Sequence, residues 1–227
     1  MINSQLKMYD IVFENPRILL VLENFNISLG FGEQTIQEIC QKHNINEYLF
    51  LTIANLYNGK KTTAIHIPHF DAAEAKQLLQ FLKTSHTYFL DEKIPKLKRL
   101  IDQKSEKFPN EKCSIIIKKF IHDYAAEVFI HMNYEDTIVF PYVEALLQKQ
   151  ETTYTIDQFR KNHSNIEDKL IDLKNLLIKH MPPDYDSVVR RRMLFELYDL
   201  EHDINIHDFI ENNLLIPIVK RLEMKQK

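Results

Sequence analysis

Apolar residues recur at helical spacing through most of the chain after residue 70. Four segments carry this period, and they follow residues that can cap a helix, such as Asp71 and Ser187. The segments, named A to D, cover residues 71–101, 111–150, 155–180 and 187–223. Glycine occurs only at Gly30, Gly32 and Gly59, so none interrupts these segments. The pattern predicts long helices with short connections, which is typical of an all-α, up-and-down four-helix bundle.

Prolines stand at only a few places in the four segments. Pro95, Pro141 and Pro217 lie within A, B and D, the last two toward the ends of their segments. We expect them to bend or end the helix, because proline lacks the backbone N–H that a helix interior uses. Pro182 and Pro183 should stop segment C, since the residue before a proline disfavours the helical conformation.

The first 58 residues have a different organisation, with shorter apolar periods. We predict three short helices, over residues 16–26, 35–43 and 46–57, and a turn at residues 29–32. These elements are expected to form a small helical N-terminal domain, residues 1–58. Residues 59–70 have no strong periodicity and are interpreted as a linker to the bundle at residues 71–227.

Segments B and D share a motif of a histidine, a glutamate four residues later and a proline six residues after that. Its two copies are His131, Glu135 and Pro141, and His207, Glu211 and Pro217, which stand 76 residues apart. His86 on A and His163 on C are similarly 77 residues apart. A pair spaced by four lies on one helix face, so its histidine and glutamate can bind the same ion. Segments A and B and segments C and D are therefore predicted to be related hairpins.

Each of the four histidines lies on an apolar stripe of its segment, as His86 does with Leu82 and Phe89. A single histidine on such a stripe is more often a hydrogen-bonded core residue than a metal ligand. Two glutamates on the same stripes favour a metal site over hydrogen-bonded core histidines, because an unpaired buried carboxylate costs several kcal/mol unless a cation neutralises it. We therefore predict a metal site formed by His86, His131, Glu135, His163, His207 and Glu211.

The predicted ligand set contains imidazoles and carboxylates but no thiolate. Such ligands suit iron, and also manganese or zinc, whereas a structural zinc site normally uses cysteines and only four ligands. Six ligands favour two ions, with two histidines on each, the two glutamates bridging, and coordination positions left open for a small ligand. Two non-haem iron ions are the expected cofactor, with manganese or zinc as alternatives.

Composition excludes several other classes of partner. The formal net charge is -3, from 29 basic and 32 acidic residues scattered along the chain, so nothing indicates nucleic-acid binding. Cys40 and Cys113 form neither a disulfide framework nor a CxxC pair, and reduced cytosolic thiols fit best. No signal peptide and no apolar run long enough for a membrane span is present. We expect a cytoplasmic protein without a membrane partner and leave homodimerisation open.

The motifs HMNYEDTIVFP and HDFIENNLLIP resemble the metal-binding signatures of hemerythrin-like (HHE cation-binding) domains. The resemblance covers about residues 71–227 and is closest to the branch known as repair-of-iron-centres proteins. It implies a hemerythrin-like bundle with the same six ligands. It also implies a role in the nitrosative or oxidative stress response, through iron-sulfur cluster repair or NO handling. Oxygen-carrying hemerythrins have HxxxH and HxxxxD motifs on the third and fourth helices, and the HxxxE motif here disfavours a simple oxygen carrier.

One departure from the repair branch affects the function. Where that branch carries a Cys-Cys pair, this chain has Leu29-Gly30-Phe31-Gly32, so a thiol-dependent step cannot be carried over. The leading hypothesis is a di-iron protein that binds O₂ or NO and assists iron-sulfur proteins. The alternative is a non-enzymatic O₂ or NO sensor or storage module that signals to a protein partner, and a purely structural zinc site is a third option. Whether the protein is an enzyme stays open.

Three further acidic residues can be weighed as neighbours of the site. Glu167 follows His163 by four residues and is a candidate extra ligand, but its counterpart in segment A is Leu90. Glu127 and Asp203 precede His131 and His207 by four residues. Each of these two is interpreted either as a group that orients a ligand imidazole or as a solvated acid.

Overall fold

The computed structural model describes residues 1–59, 70–102, 111–162, 166–183 and 185–226. Within these ranges the chain forms helices and no β-strand, apart from one isolated antiparallel bridge between Lys7 and Thr35. The all-α fold class is therefore confirmed. No helix in the described ranges is long and apolar enough to span a bilayer.

Four short helices form the N-terminal region: α1 (Met8–Glu14), α2 (Ile18–Asn24), α3 (Ile36–His43) and α4 (Glu47–Tyr57). The last three correspond to the three predicted helices. Thr35 caps α3 by accepting the Glu38 backbone N–H at 3.2 Å, while the Glu38 carboxylate accepts the Thr35 N–H at 2.8 Å. Helix α1 was not predicted. It has no capping side chain and buries Met8 and Ile11, so packing rather than a local signal holds it.

Further helices follow, and segments A to D each contain two of them. They are α5 (Ala72–Thr87), α6 (Ile94–Asp102), α7 (Glu111–Tyr134), α8 (Phe140–Leu147), α9 (Ile156–Asn162), α10 (Glu167–Asn175), α11 (Ser187–Ile210) and α12 (Ile216–Gln226). The cap predicted at Asp71 is present, since its carboxylate accepts the Ala73 N–H at 2.8 Å. Segment C is not one continuous helix in the described residues, because Ile166 lies outside the regular helix before α10.

Wide π-helical turns join the two halves of most segments or extend them. They cover Tyr88–Lys93, Glu135–Val139, Leu176–His180 and Glu211–Leu215. In segments A, B and D the residue before the proline donates its N–H to the carbonyl five residues earlier, which is the π pattern. The three bonds run from Ile94 to Phe89, from Phe140 to Glu135 and from Ile216 to Glu211. The helices thus continue past Pro95, Pro141 and Pro217 with one wide turn before each proline.

The chain divides into two compact units by its internal contacts. The first contains residues 1–85, 142–156 and 208–227. In its core the Phe25 ring lies 5.6 Å from that of Phe50 and 5.0 Å from that of Phe81. The Glu223 carboxylate accepts hydrogen bonds from the Tyr142 hydroxyl and, at 2.9 Å, from the Ile156 N–H. This carboxylate therefore joins α8, the start of α9 and α12.

The second unit contains residues 86–141 and 157–207. Its core is a cluster of buried aliphatic and aromatic side chains from α6, α7, α10 and α11. At its margin the Lys174 ammonium pairs with Glu201 and lies 4.7 Å from the centre of the Tyr198 ring. The predicted boundary at residue 58 and the linker at 59–70 remain predictions, because residues 60–69 lie outside the described ranges.

Candidate metal centre

Four of the six predicted ligands come together in the folded chain. One ligand atom from each of His86, Glu135, His207 and Glu211 lies within 4.8 Å of the others. All four side chains are buried, and the two glutamates are 0% exposed. His86 comes from the end of α5 and His207 from α11, while Glu135 and Glu211 are the first residues of two π turns.

Glu135 lies between two histidines. Its Oε2 atom is 3.2 Å from His86 Nε2, and its Oε1 atom is 3.2 Å from His131 Nε2. His131 is itself buried, so the structure brings a fifth predicted ligand next to the group. The sixth, His163, lies outside the described residues, as does the side chain of Glu167.

Both ring nitrogens of His86 have polar neighbours within hydrogen-bond distance. Nδ1 lies 2.9 Å from Asp136 Oδ1, and Nε2 lies 3.3 Å from His207 Nε2 as well as close to Glu135. Burial by itself would lower the pKa of His86, but hydrogen bonds to Asp136 and Glu135 outweigh it and raise the pKa to about 9. In the metal-free protein both ring nitrogens of His86 therefore carry a proton at neutral pH. The proton on Nε2 lies where a metal ion would bind.

Phenylalanine rings pack against two of the histidines. The Phe140 ring stacks on His86 with the ring centres 5.2 Å apart, and the edge of Phe89 meets His207 at 5.6 Å. Both phenylalanines are buried. Apolar walls of this kind exclude water and strengthen the attraction between a cation and the carboxylates.

Asp136 is a site residue that the sequence analysis missed. It directly follows Glu135, and only the pairing of α5 with the end of α7 brings it to His86, 50 residues away. The two adjacent acids Glu135 and Asp136 were a signal in the sequence for an acidic site. Adjacent residues point to different sides of a helix, so Asp136 was not expected near the same ligands.

The two acids proposed as neighbours of the ligands each lie near a lysine. Glu127 pairs with Lys169, and both side chains are about two-fifths exposed, at 41% and 42%. Asp203 is buried and accepts the Tyr88 hydroxyl at 3.1 Å, with Lys93 Nζ 3.9 Å away. Asp203 thus belongs to a partly buried polar group with Tyr88 and Lys93.

The chemistry of this group fits a bound metal. It presents imidazole nitrogens and carboxylate oxygens without a thiolate, which is the donor set preferred by iron, manganese and zinc in mixed N/O sites. Buried carboxylates facing imidazoles are stabilised when a cation lies between them. The geometry and the donor types therefore indicate a metal-binding site.

Comparison with known families agrees with this interpretation of the site. Residues 68–219, which is more than half of the chain, match the model of the hemerythrin HHE cation binding domain. A comparison with curated proteins found no significant match. The matched region contains the described His/Glu group. The chain therefore belongs to the hemerythrin HHE cation-binding family.

Proposed function

We propose that this protein holds two iron ions and binds a small diatomic ligand, O₂ or NO, at them. The proposed ligands are His86, His131, Glu135, His163, His207 and Glu211. The observation that carries the proposal is the buried group of imidazoles and carboxylates whose ligand atoms lie within 4.8 Å of one another. Manganese or zinc would suit the same donors.

The residues of the site have separable tasks in this proposal. Glu135 and Glu211 supply the negative charge that balances the cations, and the histidines supply neutral nitrogen donors. Asp136 keeps a proton on Nδ1 of His86 and so directs Nε2 toward the metal. Phe89 and Phe140 keep water from the imidazoles. When bound, the iron would supply the open coordination positions and the redox change.

The wider role follows from the resemblance to repair-of-iron-centres proteins. We propose that the protein acts in the cytoplasm during nitrosative or oxidative stress and assists the repair of iron-sulfur clusters or the handling of NO. Iron-sulfur proteins would then be its macromolecular partners. The match to the HHE family supports the metal site on which this role depends.

Metal quantification tests the proposed site. The full chain is reconstituted anaerobically with ferrous iron, and we expect two iron ions for each wild-type chain. The double variant Glu135→Ala/Glu211→Ala should retain almost none, because it lacks both carboxylates. Glu144→Ala is the control, since Glu144 is a half-exposed carboxylate on α8 paired with Lys83 at 2.5 Å. Full occupancy in the double variant would overturn the proposal.

A sensor or storage module is the second candidate function. Cys40 is buried, and burial raises the pKa of its thiol to about 12, so it is not a reactive substitute for the missing Cys-Cys pair. A sensor would bind NO or O₂ reversibly and fail to restore activity to an enzyme with a damaged iron-sulfur cluster. Rescue of that enzyme by the iron-loaded protein, but not by the metal-free protein, would favour repair.

A further inference from the structure

Two polar side chains stand at the same place in the repeated motif of segments B and D. Thr137 and Asn213 each follow the glutamate of the motif by two residues, and they are 76 positions apart, as are the two copies of the motif. Both side chains are exposed, so neither packs into a core. Each lies inside one of the wide π turns, which cover Glu135–Val139 and Glu211–Leu215. They are thus equivalent positions of two related turns.

Both side chains donate a hydrogen bond to the backbone four residues earlier. Thr137 Oγ1 lies 2.6 Å from the carbonyl oxygen of Asn133, and Asn213 Nδ2 lies 2.9 Å from that of Phe209. In a regular α-helix this carbonyl accepts the N–H of the residue four positions later, which here is Thr137 or Asn213 itself. The side chain therefore competes with the backbone N–H of its own residue for the same acceptor.

This competition favours a wide turn over an α turn. A π turn forms when backbone N–H groups leave the carbonyl four residues earlier for the one five residues earlier. A side-chain donor lowers the cost of this change, because the abandoned carbonyl stays hydrogen-bonded. The bond also joins the last regular turn to the π turn, with the glutamate between its ends. In segment B, for example, Glu135 lies midway between Asn133 and Thr137.

Segments A and C provide an internal comparison, since they also carry a π turn and a proline but lack both features of the motif. The residue six positions before the proline is Phe89 in A and Leu176 in C, so neither supplies a carboxylate. Two residues later stand Asp91 and Ile178. An ionised aspartate only accepts hydrogen bonds, and isoleucine forms none. Among the four segments, a side-chain donor therefore occurs at this position only in the two that carry a glutamate.

The π turn of segment B carries two acids that meet one histidine. Glu135 Oε2 lies 3.2 Å from His86 Nε2, and Asp136 Oδ1 lies 2.9 Å from Nδ1 of the same ring. Neighbouring residues of a regular α-helix point about 100° apart. A π turn takes up more residues than an α turn, so the rotation between neighbours is smaller. The width of the turn therefore affects how both carboxylates meet the ring.

We propose that Thr137 and Asn213 are positioning residues of the metal centre. Each holds its π turn in shape with a side-chain hydrogen bond, and so keeps the glutamate at the start of that turn directed toward the metal. They act through Glu135 and Glu211 and are not ligands themselves. The inference rests on the proposed function, because those two glutamates are proposed ligands.

Iron affinity, measured on the full chain by competition with a chelator, tests this role. Thr137→Val keeps the shape of the side chain but removes its donor, and should weaken iron binding about threefold, as expected for one net hydrogen bond. Asn213→Leu should weaken it less, about twofold, because Asn212 still donates to the Asp208 carbonyl at 3.1 Å. The double variant Thr137→Val/Asn213→Leu should lose about sixfold, since the two turns are separate and their effects multiply.

Two further variants distinguish positioning from a general loss of helix stability. Thr84→Val is the matched control, because Thr84 Oγ1 donates to the Gln80 carbonyl at 3.0 Å inside the regular helix α5. It removes the same kind of bond outside a π turn and should leave the iron affinity unchanged. Thr137→Ser/Asn213→Ser keeps a hydroxyl donor at both positions and should bind iron nearly as tightly as the wild type.

Deuterium exchange of the metal-free protein, followed by NMR, tests the turns without iron. The N–H groups of Phe140 and Ile216 close the two turns by donating to the carbonyls of the motif glutamates. Thr137→Val should speed exchange at Phe140 about threefold but not at Ile216, since each side chain supports only its own turn. Asn213→Leu should speed exchange at Ile216 alone.

Several results would overturn the proposed role. They are wild-type iron affinity in the double variant Thr137→Val/Asn213→Leu, an equal loss of affinity in Thr84→Val and Thr137→Val, and unchanged exchange at both N–H groups. A wild-type chain that binds no iron would overturn the proposed function and this role with it. Iron binding that the variants leave unchanged would overturn this role alone.

Discussion

At the residue scale, the contact between Asp136 and His86 decides which ring nitrogen His86 can offer to the proposed metal. An imidazole has two nitrogens, and the one that carries the proton cannot bind a cation. Because Asp136 Oδ1 lies 2.9 Å from Nδ1, the Nδ1–H is retained and Nε2 is left for the metal. The partly exposed carboxylate of Asp136 therefore acts through His86 as a positioning residue.

Replacing Asp136 with asparagine should weaken iron binding about ten- to hundredfold, as is typical when a carboxylate that orients a ligand histidine is lost. Asparagine keeps the size of the side chain but can present an N–H to the ring, which no longer fixes the tautomer. Competition with a chelator of known affinity measures the change. Asp91→Asn, an exposed acid in the π turn after His86, is the matched control. Equal affinities of the two variants would show that Asp136 has no orienting role.

At the element scale, the π turns connect the prolines to the proposed ligands Glu135 and Glu211. Glu135 and Glu211 each begin a π turn, and the backbone carbonyl of each accepts the N–H of the residue that precedes Pro141 or Pro217. A proline removes one helical donor and its ring crowds the preceding turn, and a wider turn relieves both effects. The proline stands six residues after the glutamate because it directly follows the residue whose N–H closes this turn.

The variant Pro141→Ala/Pro217→Ala should bind iron at least about tenfold more weakly, because alanine restores the N–H and allows an ordinary α turn that redirects the residues beyond each glutamate. The thermal midpoint of the metal-free protein should not fall, since each helix regains a hydrogen bond. Chelator competition and thermal unfolding measure the two effects. Pro16→Ala, before α2, serves as the control. Unchanged iron affinity in the double variant would contradict the coupling of proline to site geometry.

At the scale of the whole molecule, the buried carboxylates couple the stability of the fold to the binding of a metal ion. The folded chain keeps Glu135 and Glu211 away from water, and this costs free energy that a bound cation offsets. A ligand that binds only the folded state stabilises it by mass action. A metal bound at the proposed site should therefore stabilise the folded chain.

Loading with iron at about a thousandfold excess over its dissociation constant should stabilise the protein by about 4 kcal/mol, which raises the thermal midpoint by about 8–16 °C for a chain of this size. Chelation should reverse the shift. The variant Glu135→Ala/Glu211→Ala should show no shift with iron, and its metal-free form should be at least as stable as the metal-free wild type. A variant that still gains stability from iron would place the ions elsewhere.

Much of the fold and part of the site could be predicted from local patterns. Long helical periods, the caps at Thr35 and Asp71 and the absence of glycine after Gly59 all act over a few residues, so the helices were predictable. Helix α1 was missed because its stability comes from the burial of Met8 and Ile11 against other helices. The wide turns before the prolines were expected only as bends, because a sequence period cannot distinguish an α turn from a π turn.

Which residue types share a helix face is evident from the amino-acid sequence, because a spacing of four is a property of one helix and needs no neighbour. His131 with Glu135 and His207 with Glu211 could be recognised in this way. The packing of the helices places the Glu135 carboxylate between two histidines and Asp136 beside His86. Those contacts join residues up to 50 positions apart. They depend on how helices pack, and side-chain packing over such distances leaves no periodic trace in the chain.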